Sequence, residues 1–355
     1  MKRRIVLAWV GALCSLLAAG AAQAKNDPLG SGTTKLILDQ RFASFLVKDG
    51  IKLSATRGAK RKGSAFVLPV SGGSFDPTVG KGEIDTEGAL VFEAGGRKVP
   101  LRDITLKTTR SPLIAKVGGG QLKLATSSRL SARRAGFGSS FGAKQLKLSA
   151  KLVTRLNKKL RPKLPFVEGQ PLGSLTSNAQ PKLATVAESG QATLVFDPSF
   201  VAKLNDRFVS LNPIFPAEHQ GSSFSFPIVL GGSIAPDGSE GVLRTGGAVE
   251  LLQLGAGQVF WREIWLDLGV RVDSAEVDVE PTPAFPGKLG RIGVFDLAPS
   301  SVSSDPAGRT VSVSGASLAL QPQTAKTLNE AFAGGKEVFG VGETAGSLSF
   351  TAQAQ

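Results

Sequence analysis

Residues that usually carry catalysis or metal binding are scarce in this sequence. His219 is its one histidine, Cys14 its one cysteine and Met1 its one methionine, and it has no tyrosine. An active site needs a nucleophile, a base and an orienting group that meet in one pocket. A lone histidine in a loop is usually exposed to solvent, and no G-x-S-x-G elbow links a predicted strand to a predicted helix. We therefore expect a protein that is not an enzyme, and we keep His219 as a candidate ligand-binding residue.

Closely spaced carboxylates occur at two places. Asp85 and Glu87 form one pair, and a second group contains Asp273, Glu276, Asp278 and Glu280. Calcium binds to such oxygen ligands, but its sites usually have a loop that a glycine holds in a sharp turn. The second group is a candidate for weak calcium binding but lacks that glycine, so a solvated strand face is the favoured interpretation and no metal site is predicted.

Two tryptophans, Trp261 and Trp265, form the one unusual aromatic group, in the stretch FWREIWL. Successive side chains of a strand face opposite sides, so the tryptophans are expected on the polar side. The residues expected on the core side are Ile264, Leu266, Leu268, Val270 and Val272. Tryptophans on a polar strand face are either a platform for a ligand or are covered by a helix or a second sheet. Both interpretations remain open.

One long stretch of the sequence is present twice. Residues 66–106 return in altered form at 224–266, with an offset that grows only from 158 to 160 residues. So few insertions over so many matches indicate a tandem duplication. The matched features are Pro69 with Pro227, Gly72-Gly73-Ser74 with Gly231-Gly232-Ser233, Gly82 with Gly241, Thr86 with Thr245, and Arg102-Asp103-Ile104 with Arg262-Glu263-Ile264.

The duplication divides the chain into four predicted segments. Residues 25–176 form a first domain, 177–191 a polar linker and 192–355 a second domain. Residues 1–24 combine a basic start, an apolar run and an Ala-Gln-Ala site, which is typical of a secretory signal peptide. We therefore expect a protein that is secreted, extracellular or associated with the cell surface, without a membrane span once the signal is cleaved.

Short alternating strands dominate the predicted secondary structure. Runs of four to eight residues with a period of two are separated by Gly, Pro, Asp and Ser. Asp39 and Asp197 are predicted N-caps of short helices, the second with Phe200, Leu204 and Phe208 at helical spacing. Two further short helices are predicted over residues 151–160 and 324–332. The predicted fold class is all-β, as two tandem β-sandwich-like domains with one or two short helices each.

Charge differs sharply between the two halves. Residues 25–185 contain 29 lysines and arginines against 10 acidic residues, whereas residues 186–355 contain 10 against 18. A strongly basic domain outside the cell favours anionic partners. The candidate polyanion-binding residues are Lys60, Arg61, Lys62, Arg133, Arg134, Lys158 and Lys159. Nucleic acid is not an expected partner, because no stacking aromatics are interleaved with these clusters.

The repeated unit resembles the HtaA domain, which occurs in secreted and surface proteins of actinobacterial haem uptake. The resemblance covers both copies, and its motifs are typical of the fold rather than of an activity. In the first copy it is carried by Phe42-x-x-Phe45-Leu46, Phe66-x-Leu68-Pro69-x-x-Gly72-Gly73-Ser74-Phe75-Asp76, Gly80-x-Gly82-x-Ile84, Leu90-x-Phe92 and Phe166-x-x-Gly169.

The resemblance also shows where this chain departs from haem-binding members of the family. The family's tyrosine position falls on Phe45 in the first copy and on Lys203 in the second. The family's histidine position falls near Gly95 and near Leu254. None of these side chains is among the usual haem-iron ligands, which are His, Cys, Met and Tyr.

These observations leave two main hypotheses of function. The first is a secreted binding protein with a haem-binding ancestry that has lost iron ligation by tyrosine and histidine. The second is a structural or adhesive cell-wall protein whose basic domain binds anionic polymers. The expected partners are haem or another small anionic ligand, a cell-wall polymer or a surface receptor, and no cofactor beyond haem is indicated.

Overall fold

The structure is a computed structural model. It describes residues 26–76, 79, 81–108, 120–255, 257–279, 287–298 and 301–355, and only the backbone of 112–117. The predicted signal peptide, Cys14 and Glu280 lie outside the described residues.

The first copy, as the structure describes it, contains twelve strands and two helices. They are β1 Asp27–Leu38, α1 Gln40–Lys48, β2 Lys52–Thr56, β3 Lys60–Lys62, β4 Ala65–Asp76, β5 Lys81–Thr86, β6 Ala89–Ala94, β7 Arg97–Lys107, β8 Pro112–Val117, β9 Gly120–Thr126, β10 Arg129–Ala135, β11 Gly138–Leu148, α2 Ala150–Leu160 and β12 Pro171–Pro181.

The second copy repeats the same series of elements. They are β13 Ala184–Phe196, α3 Pro198–Asn205, β14 Val209–Ile214, β15 Glu218–Gln220, β16 Ser223–Ile234, β17 Gly241–Thr245, β18 Ala248–Gln253, β19 Gly257–Asp267, β20 Val272–Val279, β21 Lys288–Ala298, β22 Ser301–Asp305, β23 Thr310–Leu320, α4 Pro322–Ala333 and β24 Thr344–Ala354.

Each copy forms one antiparallel sheet that closes on itself. The strand order is β2-β6-β7-β5-β4-β1-β12-β11-β9-β8. An additional β7–β8 pairing closes the eight strands from β7 to β8 into a ring, and β6 and β2 extend from β7. The second sheet has the same order and the same closure, between β19 and β20. The all-β class is confirmed, and the common strand order of the two sheets agrees with the repeat seen in the sequence.

The four predicted helices are present, and polar caps explain where three of them begin. The carboxylates of Asp39 and Asp197 accept the backbone N–H of Arg41 and Ser199, and Ser149 caps α2. One detail of the prediction is wrong. Phe208 does not extend the helical series, because α3 ends at Asn205 and the Phe208 side chain is 86% exposed.

Close backbone contacts explain why both copies keep a glycine at the start of β5 and β17. Gly82 and Gly241 have φ angles of 140° and 139°. A Cβ atom at Gly82 would lie 2.2 Å from the Ser74 carbonyl oxygen, and one at Gly241 would lie 2.4 Å from that of Ser233. Only glycine fits such an approach, so the repeated motif is a requirement of the fold.

The segment predicted as a linker is mostly strand. Residues 177–181 complete β12 and residues 184–191 begin β13, so only Lys182 and Leu183 lie between the two sheets. The alternation is hidden in the sequence because small and polar side chains face the interior. Ser177, for example, is fully buried and shares a 2.8 Å hydrogen bond with Thr34.

The two copies contact each other through buried groups. Asp27 accepts hydrogen bonds from the backbone and hydroxyl of Thr185, at 3.2 and 3.1 Å. Arg134 donates to the Gln355 carbonyl across the same junction. Phe137, in the turn after β10, is only 4% exposed because it packs in the hydrophobic core of the second copy. One copy thus supplies part of the other copy's interior.

Candidate functional site

Positive charge gathers where four segments of the first copy meet. The backbone N–H of Leu164 donates to Asp49 Oδ1 at 2.8 Å, which joins the α2–β12 loop to the end of α1. Arg97 Nη1 donates to the Leu160 carbonyl at 3.5 Å, which joins the β6–β7 turn to the end of α2. We call this surface the basic end; its exposed cations are Lys48, Lys52, Arg97, Lys98, Lys158, Lys159, Arg161 and Lys163.

Three acidic residues accompany these eight cations. The Asp49 carboxylate accepts the Leu164 N–H, Glu93 lies 3.5 Å from Lys98 Nζ, and Glu168 is exposed next to Val167 on the α2–β12 loop. The C-terminus of α2 carries a partial negative charge, so Lys158 and Lys159 in its last turn also stabilise the helix. Most of the remaining positive charge faces solvent and attracts anions.

Apolar side chains are exposed beside the same cations. Val47 is 80% exposed at the end of α1, and Leu164 and Val167 are 44% and 62% exposed on the α2–β12 loop. The basic end therefore combines apolar surface with a surplus of positive charge, which suits a ligand that is itself both apolar and anionic.

The two family ligand positions of the first copy lie at this end. Phe45 is half-buried, and its ring lies 5.2 Å from that of Phe166, which in turn lies 6.1 Å from Phe92. Gly95 is exposed in the β6–β7 turn, directly after the strand that carries Phe92. Neither residue offers an atom that coordinates iron.

The equivalent positions of the second copy also lack an iron ligand. Lys203 Nζ lies 2.6 Å from Glu343 Oε1 and 3.1 Å from the Val338 carbonyl oxygen, so the lysine joins α3 to the loop before β24. Leu254 is 86% exposed in the β18–β19 turn.

The other predicted basic clusters lie elsewhere. Lys60, Arg61 and Lys62 are exposed on β3, which follows the opposite end of β2 from the basic end. Arg133 is exposed on β10, and its neighbour Arg134 is half-buried against the second copy, where it holds the junction. Of the predicted clusters, only Lys158 and Lys159 belong to the basic end.

Several cations of the basic end were missed by sequence analysis. Lys48 and Lys52 are isolated in sequence, and Arg97 and Lys98 form only a pair. The fold brings their segments together; Lys52 on β2, for example, pairs with Glu93 on β6. The one sequence signal is the overall excess of basic residues in this copy.

His219 lies on the short strand β15 and is exposed to solvent. Its ring stacks on Phe224 at 5.4 Å. Phe224 is buried in the core of the second copy and lies opposite His219 in the β15–β16 pair, so the stacking gives the histidine a packing role.

The tryptophans take different positions from those predicted. Trp261 is 1% exposed in the core, because a bulge between Arg262 and Trp265, with Glu263 at a φ of 47°, reverses the alternation along β19. The interpretation that a tryptophan here is covered is therefore right for Trp261, and the predicted polar-side orientation is wrong.

Trp265 faces the polar side but does not offer a free ring. The guanidinium carbons of Arg244 and Arg291 lie 4.3 and 3.9 Å from the ring centroid. These contacts occupy the ring with cation–π interactions inside the protein. Val270, expected on the core side of the same strand, is 69% exposed in the turn after β19.

One carboxylate of the predicted solvated face is buried instead. Asp273 is 2% exposed, and its Oδ1 has no hydrogen-bond partner. Burial raises the pKa of this carboxyl well above its ordinary value.

Asp85 accepts a hydrogen bond from Thr105. Within the described ranges, no three His, Cys, Asp or Glu side chains are grouped closely enough to hold a metal ion.

Two solved domains share a partial likeness with this chain. The C-terminal domain of HtaA from Corynebacterium glutamicum matches 48% of this chain and 99% of its own length, with 16% identity and a TM-score of 0.39. The N-terminal domain of the same protein matches 48% of this chain and 99% of its own length, with 17% identity and a TM-score of 0.37. No family model matches the sequence, and no curated protein matches it significantly.

In the part of the chain that the structure describes, no helix is long and apolar enough to cross a membrane.

Proposed function

We propose that this chain is a secreted, non-enzymatic binding protein whose first copy binds an amphipathic anion at the basic end. The observation that carries the proposal is the meeting of eight exposed cations with three exposed apolar side chains on one surface. An apolar ligand body would cover Val47, Leu164 and Val167, and its acidic groups would pair with the surrounding lysines and arginines.

Haem is the amphipathic anion that the sequence resemblance favours. Its porphyrin plane is apolar, and its two carboxylates are anionic. The residues do not fit axial ligation of the iron, because Phe45, Gly95, Lys203 and Leu254 stand at the four family ligand positions. The proposed binding therefore depends on charge and apolar contact, and iron-free protoporphyrin should bind about as tightly as haem.

The test is an absorbance and fluorescence titration with hemin and with iron-free protoporphyrin. The protein lacking the predicted signal peptide is compared with Lys158→Glu/Lys159→Glu, which reverses two charges of the basic end. We expect roughly tenfold weaker binding of both porphyrins, since each exposed ion pair contributes up to about 1 kcal/mol. Lys60→Glu/Lys62→Glu is the matched control, with the same charge change on β3, and it should bind like the unchanged protein.

A sharp Soret shift with hemin that His219→Ala abolishes would contradict this proposal, because it would indicate iron ligation by the histidine. Equal loss in the two double variants would also contradict it, since binding would then follow net charge instead of the basic end.

An anionic cell-wall polymer is the second candidate ligand. Residues 25–185 contain 29 cations against 10 acidic residues, which favours a polymer because a polymer can contact many of these cations at once. The measurement is pull-down with purified cell wall at increasing salt. Polymer binding should weaken steeply with salt and fall in both double variants, whereas porphyrin binding should fall in only one.

A further inference from the structure

Phe208 is held in a backbone conformation that large side chains rarely adopt. Its φ is 56°, in the left-handed region, and its side chain is 86% exposed. Local bonds maintain the turn: the Phe208 N–H donates to the Asn205 carbonyl at 2.9 Å, and Gln253 Nε2 donates to the Arg207 carbonyl at 2.7 Å. A bulky residue in this region is unusual, and such outliers concentrate at functional sites.

Leu254 lies opposite Phe208 and is equally exposed. Val209 on β14 pairs with Gln253 on β18, so the next residues outward, Phe208 and Leu254, face each other beyond the last pair. Each side chain is 86% exposed. We call these two residues the apolar pair.

The apolar pair belongs to the second copy alone. In the first copy Lys52 pairs with Glu93, which places Gly50 opposite Gly95 at the corresponding positions. Gly50 has a φ of 67°, so glycine meets the requirement of this turn there, whereas phenylalanine does not suit it in the second copy. The requirements of the fold therefore do not explain why the second copy has two large apolar side chains here.

We propose that the apolar pair docks on the basic end of a second molecule of this chain. The basic end exposes Val47, Leu164 and Val167 among eight cations, so it offers apolar surface to Phe208 and Leu254. The charges are complementary, because residues 25–185 carry 29 cations against 10 acidic residues and residues 186–355 carry 10 against 18. An anionic membrane is the poorer occupant, since it repels the acidic copy.

The contact joins different surfaces of identical molecules, so it is heterologous and does not close as a twofold dimer. Two apolar side chains cover only part of a standard interface, so the association is weak and depends on protein concentration. It shares the basic end with the proposed anionic ligand, but it needs no ligand and is tested without one.

The test is sedimentation velocity of the protein lacking the predicted signal peptide, over a range of concentrations and salt. We expect the sedimentation coefficient to rise with concentration, and the rise to diminish with salt. Phe208→Ser/Leu254→Ser should weaken the association by about tenfold or more, as expected for central apolar contacts. Phe215→Ser is the matched control, because Phe215 is 90% exposed directly after the other end of β14, and it should associate normally.

Phe208→Gly separates loss of contact from loss of folding. It removes the side chain and suits the positive φ, so it should unfold at a higher temperature while it associates more weakly. The proposal is overturned if the unchanged protein stays monomeric at every concentration, if the double variant associates normally, or if Phe215→Ser has the same effect. Binding to phosphatidylcholine vesicles that the double variant loses, without self-association, would assign the pair to lipid and overturn it too.

Discussion

At the scale of single residues, the buried carboxyl of Asp273 opposes the folding of the second copy. It lies on β20 between Leu266 and Phe295, where its Oδ1 has no partner. Strand pairing places Leu113 of the first copy at the corresponding position, opposite Leu106. A buried carboxylate without a partner opposes folding whenever it is ionised.

Asp273→Asn should stabilise the second copy at neutral pH. Burial raises the pKa of this carboxyl in the folded state, so its protonated form stabilises the fold. That stabilisation is complete below the ordinary pKa and is lost as the pH rises through the raised value. We expect the substitution to raise the free energy of unfolding by about 1–3 kcal/mol at neutral pH and by little in acid. Thermal unfolding across pH measures this, and parallel pH profiles for the two proteins would contradict it.

His219→Ala should leave porphyrin binding and hydrolysis unchanged. The imidazole is exposed and stacks on Phe224, away from the basic end. The expected result is an unaltered hemin titration and unaltered turnover on a panel of esters and peptides. His219→Phe keeps a ring for stacking, so it shows whether any change comes from lost packing or from lost chemistry.

Some single residues are predictable from sequence because their roles are local. Asp39 and Asp197 cap helices as their spacing indicates. The orientation of Trp261 is not predictable in this way. One extra residue at the bulge between Arg262 and Trp265 puts Trp261 and Trp265 on opposite sides of the sheet. The sequence has no sign of that bulge except the Arg-Asp/Glu-Ile motif shared by both copies, in which Asp103 and Glu263 have positive φ.

At the scale of elements, β4 and β5 approach each other so closely at Gly82 that no side chain fits there. Gly82→Ala should destabilise the first copy by more than about 3 kcal/mol, because the new Cβ would lie 2.2 Å from the Ser74 carbonyl oxygen. Gly95→Ala is the matched control: its φ is also positive, but nothing lies within 4 Å of the Cβ position. We expect a loss of only about 1 kcal/mol there, measured by denaturant unfolding.

A similar loss in the two glycine variants would show that the cost comes from the backbone angle and not from the strand contact. That outcome would remove the physical reason for the repeated glycine motif.

The extent of β12 and β13 illustrates what sequence pattern misses at this scale. An alternating strand is recognised by its large apolar residues, but β12 directs Ser177 and Ala179 inward. The interior position of Ser177 depends on its bond to Thr34, which is distant in sequence. Pairing partners of this kind are set by the closed sheet, so they cannot be inferred from one strand alone.

At the scale of the whole molecule, the copies share an interior. Phe137→Ala should destabilise the second copy, although residue 137 is in the first, by about 3–5 kcal/mol as for other buried phenylalanines. Trp261 and Trp265 are the tryptophans outside the predicted signal peptide, and both lie in the second copy. Their fluorescence during denaturation therefore reports on that copy.

Phe166→Ala is the control for this prediction, because Phe166 belongs to the core of the first copy. It should lower the stability of the first copy and change the tryptophan transition less than Phe137→Ala does. If Phe137→Ala leaves the tryptophan transition unchanged, the two interiors are energetically separate.

The shared junction also bears on the order in which a newly made chain can be finished. Gln355, which follows β24, donates its N–H to the Thr185 carbonyl and accepts from Arg134, so this contact between the halves forms only after β24 is in place. Before the second copy folds, the Phe137 side chain is exposed to water. A chain exported with its N-terminus leading would therefore expose the apolar Phe137 side chain until the second copy folds. A chaperone outside the cytoplasm could bind it during that interval.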